Sequence, residues 1–259
     1  MLFRITALLN TPLLMVCAAA LGESQQPSQA TVKYTAKLAA SVQCLNEINT
    51  VQEAARLSHF TQATEKTQLT APDSNDLVGN SEWRKICEHL MATQEANYQV
   101  VTEVENPFKD GTYAFKSLTD AQPSCNETLD YWKAAFKNFT ILSLSKSQAN
   151  GLYDKQDNGS FVALYNPSST ATAECRIVTC TKTTSSTVNQ RIESEAEVTT
   201  EYGYALICKT MPAALADENS APFTQQQWDG IISSLTGSAS VAVPELVGIF
   251  IVALGMVTL

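Results

Sequence analysis

Few side chains in this 259-residue chain can do chemistry, and most of them are cysteines. There are seven: Cys17, Cys44, Cys87, Cys125, Cys175, Cys180 and Cys208. The histidines are His59 and His89 alone. Nucleophilic catalysis needs a base within hydrogen-bond reach of a Ser, Thr or Cys. Only those two imidazoles could serve, and no G-x-S-x-G occurs. Zinc needs Cys and His at ligand spacing, yet there is no CxxC, and neither histidine is so spaced from a cysteine. No catalytic, metal or cofactor-binding residue is therefore assigned, and no cofactor is expected. The chemistry that remains is oxidation of thiols to disulfides, which belongs to an oxidising compartment.

Both ends point to that compartment. Arg4 precedes a mostly apolar run from Ile5 to Cys17, and Ala18-Ala19-Ala20 supplies small residues for cleavage. Residues 1–22 read as a signal peptide. Residues 237–259 read as a glycosylphosphatidylinositol (GPI) attachment signal. Gly237-Ser238-Ala239 are small, a short spacer with Pro244 and Glu245 follows, and Leu246 to Leu259 carry no charge. Gly237 and Ser238 are the attachment candidates. A spanning helix would want roughly 20 apolar residues and flanking positive charge. Between the signals lies one ectodomain, 23–236, within the roughly 250 residues that a single domain can reach. The expected address is the outer face of the plasma membrane. The formal charge of −9 disfavours nucleic acid as a partner.

Cys17 leaves with the signal, so six cysteines can form three disulfides in any of 15 pairings. The elements that position them follow from periodicity. Leu38, Val42, Leu45 and Ile48 predict a helix within Tyr34–Leu57. Ser81 caps a second, with Trp83, Ile86, Cys87 and Leu90, after a polar loop at 61–80. Tyr98–Val101 is a weak strand signal. Ser124 and Glu127 form a capping box on a third helix, whose seam is Cys125, Leu129, Trp132, Phe136 and Phe139. Strands are expected at Phe161–Tyr165, Ala173–Lys182 and Tyr202–Thr210, with a long hairpin connection at Thr183–Thr200. A last helix starts at Thr224, with Gln227 completing a box and Trp228, Ile231, Ile232 and Leu235 as its stripe. Gly237 stops it.

Cys175 and Cys180 lie five apart on one strand, an odd spacing that sends them to opposite faces. Structure must then lie above and below the sheet, and a three-layer α-β-α sandwich of the α+β class is the expectation. Cys208 on the neighbouring strand is the natural partner of Cys175. Cys180 then reaches the second helix at Cys87, and Cys44 is left to Cys125. This set is a hypothesis among the 15.

Cys44-Leu45-Asn46-Glu47-Ile48-Asn49 resembles the first helix of the surface antigens of Eimeria, coccidian parasites. So do Gly111-Thr112-Tyr113-Ala114-Phe115, the run from Asp130 to Phe136, Phe161 to Pro167, Ala173 to Thr181 and Ala221 to Gln225. The resemblance implies a GPI-linked protein on the invasive stages, meeting host gut epithelium and host immunity. That family in turn is similar to the CAP fold of cysteine-rich secretory proteins, antigen 5 and plant pathogenesis-related proteins. Many CAP proteins hold a divalent metal between two histidines and two glutamates. His59 and His89 sit in no matching motif here, which argues against that metal and against a hydrolytic role.

The expected function is non-catalytic display, with a host cell-surface molecule or immune factor as partner. A carrier of lipid or small molecules in an apolar groove is the alternative, and a secreted hydrolase ranks below both. Three sequons offer glycosylation at Asn126, Asn138 and Asn158, and Asn158, read as a turn, is expected to be the most accessible. The last helix ends at the attachment candidates, so the domain should sit close to the membrane, with any partner surface on its far side.

Overall fold

The computed structural model describes residues 30–40, 43–72, 76–77, 81–94, 110–140, 142–186 and 197–237. The Tyr98–Val101 signal, Ser238 and the 237–259 signal beyond Gly237 lie outside them. Within them the chain is mixed α+β, with an antiparallel sheet as its spine.

Two long strands form the centre, β4 (Thr172–Ser186) and β5 (Glu197–Met211). Their β-branched residues suit a pleated surface. They pair antiparallel along their whole length, so the hairpin reaches further than expected and only 187–196 are left to the connection. Strand β1 (Ala30–Leu38) flanks β4, and β3 (Thr112–Leu118) flanks β5. The sheet order is β1-β4-β5-β3, with a two-residue β2 (Thr61–Gln62) parallel to the start of β4.

Strand β1 corrects the helix expected from Tyr34. Tyr34, Ala36 and Leu38 recur every second residue on one face, which is strand periodicity. The helical spacing read from Leu38 onward bridged two elements. Helix α1 begins only at Leu45 and ends at Ala54, after Cys44 turns the chain with φ 60°.

Helix α2 (Glu82–Gln94) lies on one face of the sheet. Its start is set by Ser81, whose Oγ accepts from the Arg84 amide at 3.2 Å. Trp83, Ile86, Cys87, Leu90 and Met91 pack there against Val178, Ala205 and Ile207. The approach is close, because a Cβ on Gly203 of β5 would stand 2.8 Å from Met91 Cε.

The other face carries α1, α3 (Cys125–Ala134), α4 (Gln156–Leu164) and α5 (Gln225–Thr236). At α3, Ser124 accepts from the Glu127 amide at 3.4 Å. At α5, Thr224 and Gln227 make both bonds of the capping box. Gly237 then ends α5 in the left-handed region, at φ 63°. Helix α5 rests on α1 so closely that a Cβ on Gly230 would meet the Ala55 carbonyl at 2.5 Å.

Helix α4 overturns the strand expected at Phe161–Tyr165. Phe161, Val162, Ala163, Leu164 and Tyr165 are all buried, on every side of the helix. A helix enclosed all round shows no polar stripe, and a short apolar run then reads as a strand.

The disulfides are Cys44–Cys125, Cys87–Cys180 and Cys175–Cys208, the three pairs set out above. Cys175 and Cys208 are direct cross-strand partners. Cys175 belongs to the core beneath α4, and Cys180 to the core beneath α2, so one strand is stapled on both faces.

Candidate functional site

The two histidines are not brought to a common site. His59 is exposed, 3.7 Å from Glu53 in a surface ion pair. His89, on α2, sits half-buried with its ring centroid 5.8 Å from that of Phe115. Burial lowers its pKa below the usual imidazole value. No group of three or more His, Cys, Asp or Glu able to hold a metal occurs among the described residues.

The structure does assemble a charged cluster that sequence reasoning missed. Glu174 on β4 and Lys209 on β5 are cross-strand neighbours, and both are buried. Lys209 Nζ donates to Asp110 and to the Gln68 carbonyl, the latter at 3.2 Å. Tyr113 donates to the other Asp110 oxygen at 2.8 Å. Glu174 accepts from the Leu69 amide and pairs with Arg176 at 3.0 Å. These bonds fasten residues 68–69 and 110 onto the sheet and leave no proton positioned against a nucleophile. The one sequence signal was charge at inward strand positions, Glu174 beside Cys175 and Lys209 beside Cys208.

The Lys209 ammonium holds the Asp110 carboxyl below the usual carboxylate range. A carboxyl whose folded pKa is depressed stabilises the fold above its unfolded pKa of about 3.9 and loses that contribution as pH falls through the folded value. Thermal unfolding should therefore weaken below about pH 4. The fall should be shallower in Asp110→Asn, as read by melting temperature across pH 2–6.

A groove of about 540 Å³ opens between α1, α3 and α5. Val51, Ala54, Phe136 and Leu235 supply its apolar wall. Lys133 and Lys137 stand at it, and Asp130 takes up Lys133 at 2.7 Å. Lys137 makes no ion pair among the described residues. The buried Tyr165 hydroxyl also faces the groove. Its neighbour Ser234 gives its own proton to the Ile231 carbonyl at 2.7 Å. Ser234 Oγ lies beside Tyr165 Oη, which makes no hydrogen bond of proper geometry among the described residues. Burial pushes its pKa up to about 12.

The sequons separate clearly. Asn126 and Asn138 are exposed, on α3 and on the 3-10 turn after it. Asn158, expected to be the most accessible, is fully buried in α4. Its Nδ2 donates to the Leu152 carbonyl at 2.7 Å, and its Oδ1 accepts from Asn138 at 2.8 Å. A glycan has no room there. Peptide mapping of protein from glycosylating cells should find Asn158 bare, and occupancy in folded protein would contradict this geometry.

Fold and contacts together define a three-disulfide α+β domain with an antiparallel sheet, whose polar clusters tie elements together. A model of the sporozoite surface antigen (SAG) protein domain matches residues 40–250, and the chain belongs to that family. It is 28% identical over 206 residues to the sporulated oocyst TA4 antigen of Eimeria tenella, covering 76% of each chain. The resemblance read from the sequence motifs is thus shown, and membership places the chain among parasite surface antigens. No solved structure matches it.

Proposed function

We propose that this chain is a non-catalytic, GPI-anchored surface antigen displayed on the invasive stages, used in host-cell attachment or in dealing with host immunity. One observation carries the reading. The last described helix, α5, is capped by Gly237, and the small-residue, spacer and apolar-tail pattern starts at that residue. Leu235, two residues earlier, still packs against the core. The domain would be held close to the membrane, without a stalk.

The surface offered to a partner is then the one across the sheet from α5. There α2 presents Arg84 over the Tyr34 ring, at 5.3 Å, and paired to Glu88 at 2.7 Å. Helices on both faces and the two-faced stapling of β4 favour a CAP-like three-layer sandwich as the architecture of the family. The contacts of His59 and His89 with Glu53 and Phe115 support display over hydrolysis.

Phosphatidylinositol-specific phospholipase C should shed the protein from cells that express it. Soluble residues 23–236 should bind host epithelial cells, and the same domain unfolded by reduction should not. Equal binding by both forms would remove the adhesive surface from the proposal.

A further inference from the structure

The groove between α1, α3 and α5 has features that packing alone does not require. Its apolar wall of Val51, Ala54, Phe136 and Leu235 lies open between three helices. A fully buried hydroxyl, Tyr165, faces it without a hydrogen bond of proper geometry. A buried polar atom left unpaired is costly, and such atoms in folded proteins generally find a partner. Beside it stands Lys137, a cation without an ion pair among the described residues, while Asp130 occupies Lys133. Two lysines against one aspartate leave the groove a net positive site on a chain of charge −9. An apolar floor, a spare donor and a spare cation together fit an anionic group carried on a polyol.

The position of the groove says which one. Ser234 and Leu235, in the last turn of α5, form part of its wall. The helix stops at Gly237, where the left-handed conformation turns the chain off the helix axis. From Leu235 to Gly237 the chain spans at most about 7 Å. Anything joined at Gly237 begins within that reach of Leu235 in the groove wall, and one residue further along the chain the limit grows to about 11 Å.

We propose that this groove binds the protein's own anchor glycan, by the phosphodiester that bridges the C-terminal ethanolamide to the first sugar. This rests on the GPI reading above. Lys137 pairs with the phosphate, in the way an ammonium binds phosphate as a point charge. The Tyr165 hydroxyl donates to an oxygen of the same group. The sugar that follows lies on the exposed edge of Phe136. A docked glycan would fix the tilt of the domain on the membrane, because the last turn of α5 and the anchor would move as one body.

The test uses the full mature protein shed from cells by phosphatidylinositol-specific phospholipase C. Shed protein carries two kinds of phosphorus, the bridging phosphodiester and the inositol phosphate at the far end of the glycan. The second is a built-in reference for a mobile phosphate. In the wild type, phosphorus NMR should show the bridging resonance broadened to the tumbling rate of the domain and the reference narrow. Lys137→Glu should narrow the bridging line to that of the reference, and Lys137→Arg should keep it broad. Amide exchange over 233–237 should quicken several-fold in Lys137→Glu alone. Equally narrow lines in the wild type would overturn the docking and leave the anchor standing. If the phospholipase sheds nothing, the anchor reading itself falls, and the docking with it.

Discussion

Replacing Cys87 and Cys180 together by Ala should lower the unfolding free energy by about 4–5 kcal/mol. The bond closes a loop of 93 residues, the longest of the three. In the chain-entropy account, the denatured chain gains most freedom when the longest loop is cut. It is also the only covalent tie of α2 to the sheet. The other face is held by four helices, whereas α2 is the one helix among the described residues in the core of Val178, Ala205 and Ile207. Amides of α2 should therefore exchange first, while those of α4 stay protected. The Cys175–Cys208 bond closes only 33 residues, between strands already paired along their length, and its removal should cost about 1 kcal/mol less. Urea unfolding of both double variants tests the order. The reverse order would show that strain or residual denatured structure, not loop length, governs these bonds.

Trp228→Ala should cost about 3–5 kcal/mol, the usual range for deleting a fully buried large ring. Trp228 is the hub of the larger core. Its ring lies 5.6 Å from Phe223, 5.7 Å from Phe139, 5.9 Å from Phe136 and 6.1 Å from Phe161. It thus joins α5 to α4 and to the turn after α3. The indole N–H is buried without a hydrogen-bond partner among the described residues. Trp228→Phe removes that unsatisfied donor while keeping one ring, so it should cost well under half as much as Ala. Denaturant midpoints of the two variants decide this. Equal losses would mean that the indole N–H has a partner, such as an ordered water.

What was legible in the sequence had local causes. The Ser124 and Thr224 caps placed the starts of α3 and α5, and the 228–235 stripe the extent of α5, but the seam read on to Phe139 overran α3, which ends at Ala134 before a 3-10 turn over Ala135–Asn138. The odd spacing of Cys175 and Cys180 placed cores on both sides of β4. What was not legible depended on distant partners. Strand β1 exists because β4 pairs with it, across more than a hundred residues. Strand β3 carried no signal of its own, though its residues belong to a family motif. Helix α4 looked like a strand because neighbours cover every side of it, and Asn158 looked exposed for the same reason. The inward charges at Glu174 and Lys209 hinted at the Lys209 cluster but not at its partner. Asp110 is 99 residues away from Lys209, and nothing local announces the pair. The groove likewise takes its walls from three helices far apart in the chain.

The overlap of the three disulfides bears on how a surface antigen withstands proteases. Cys44 reaches forward to Cys125, Cys87 to Cys180 and Cys175 to Cys208, so each loop begins before the previous one closes. A single peptide bond cut anywhere between Cys44 and Cys208 leaves two pieces still covalently joined. A nicked molecule would run as one band without reductant and as two with it. Any piece released from the domain by a single cut is confined to the short stretches outside those cysteines. A single cut between Cys44 and Cys208 therefore scars the domain without dividing it.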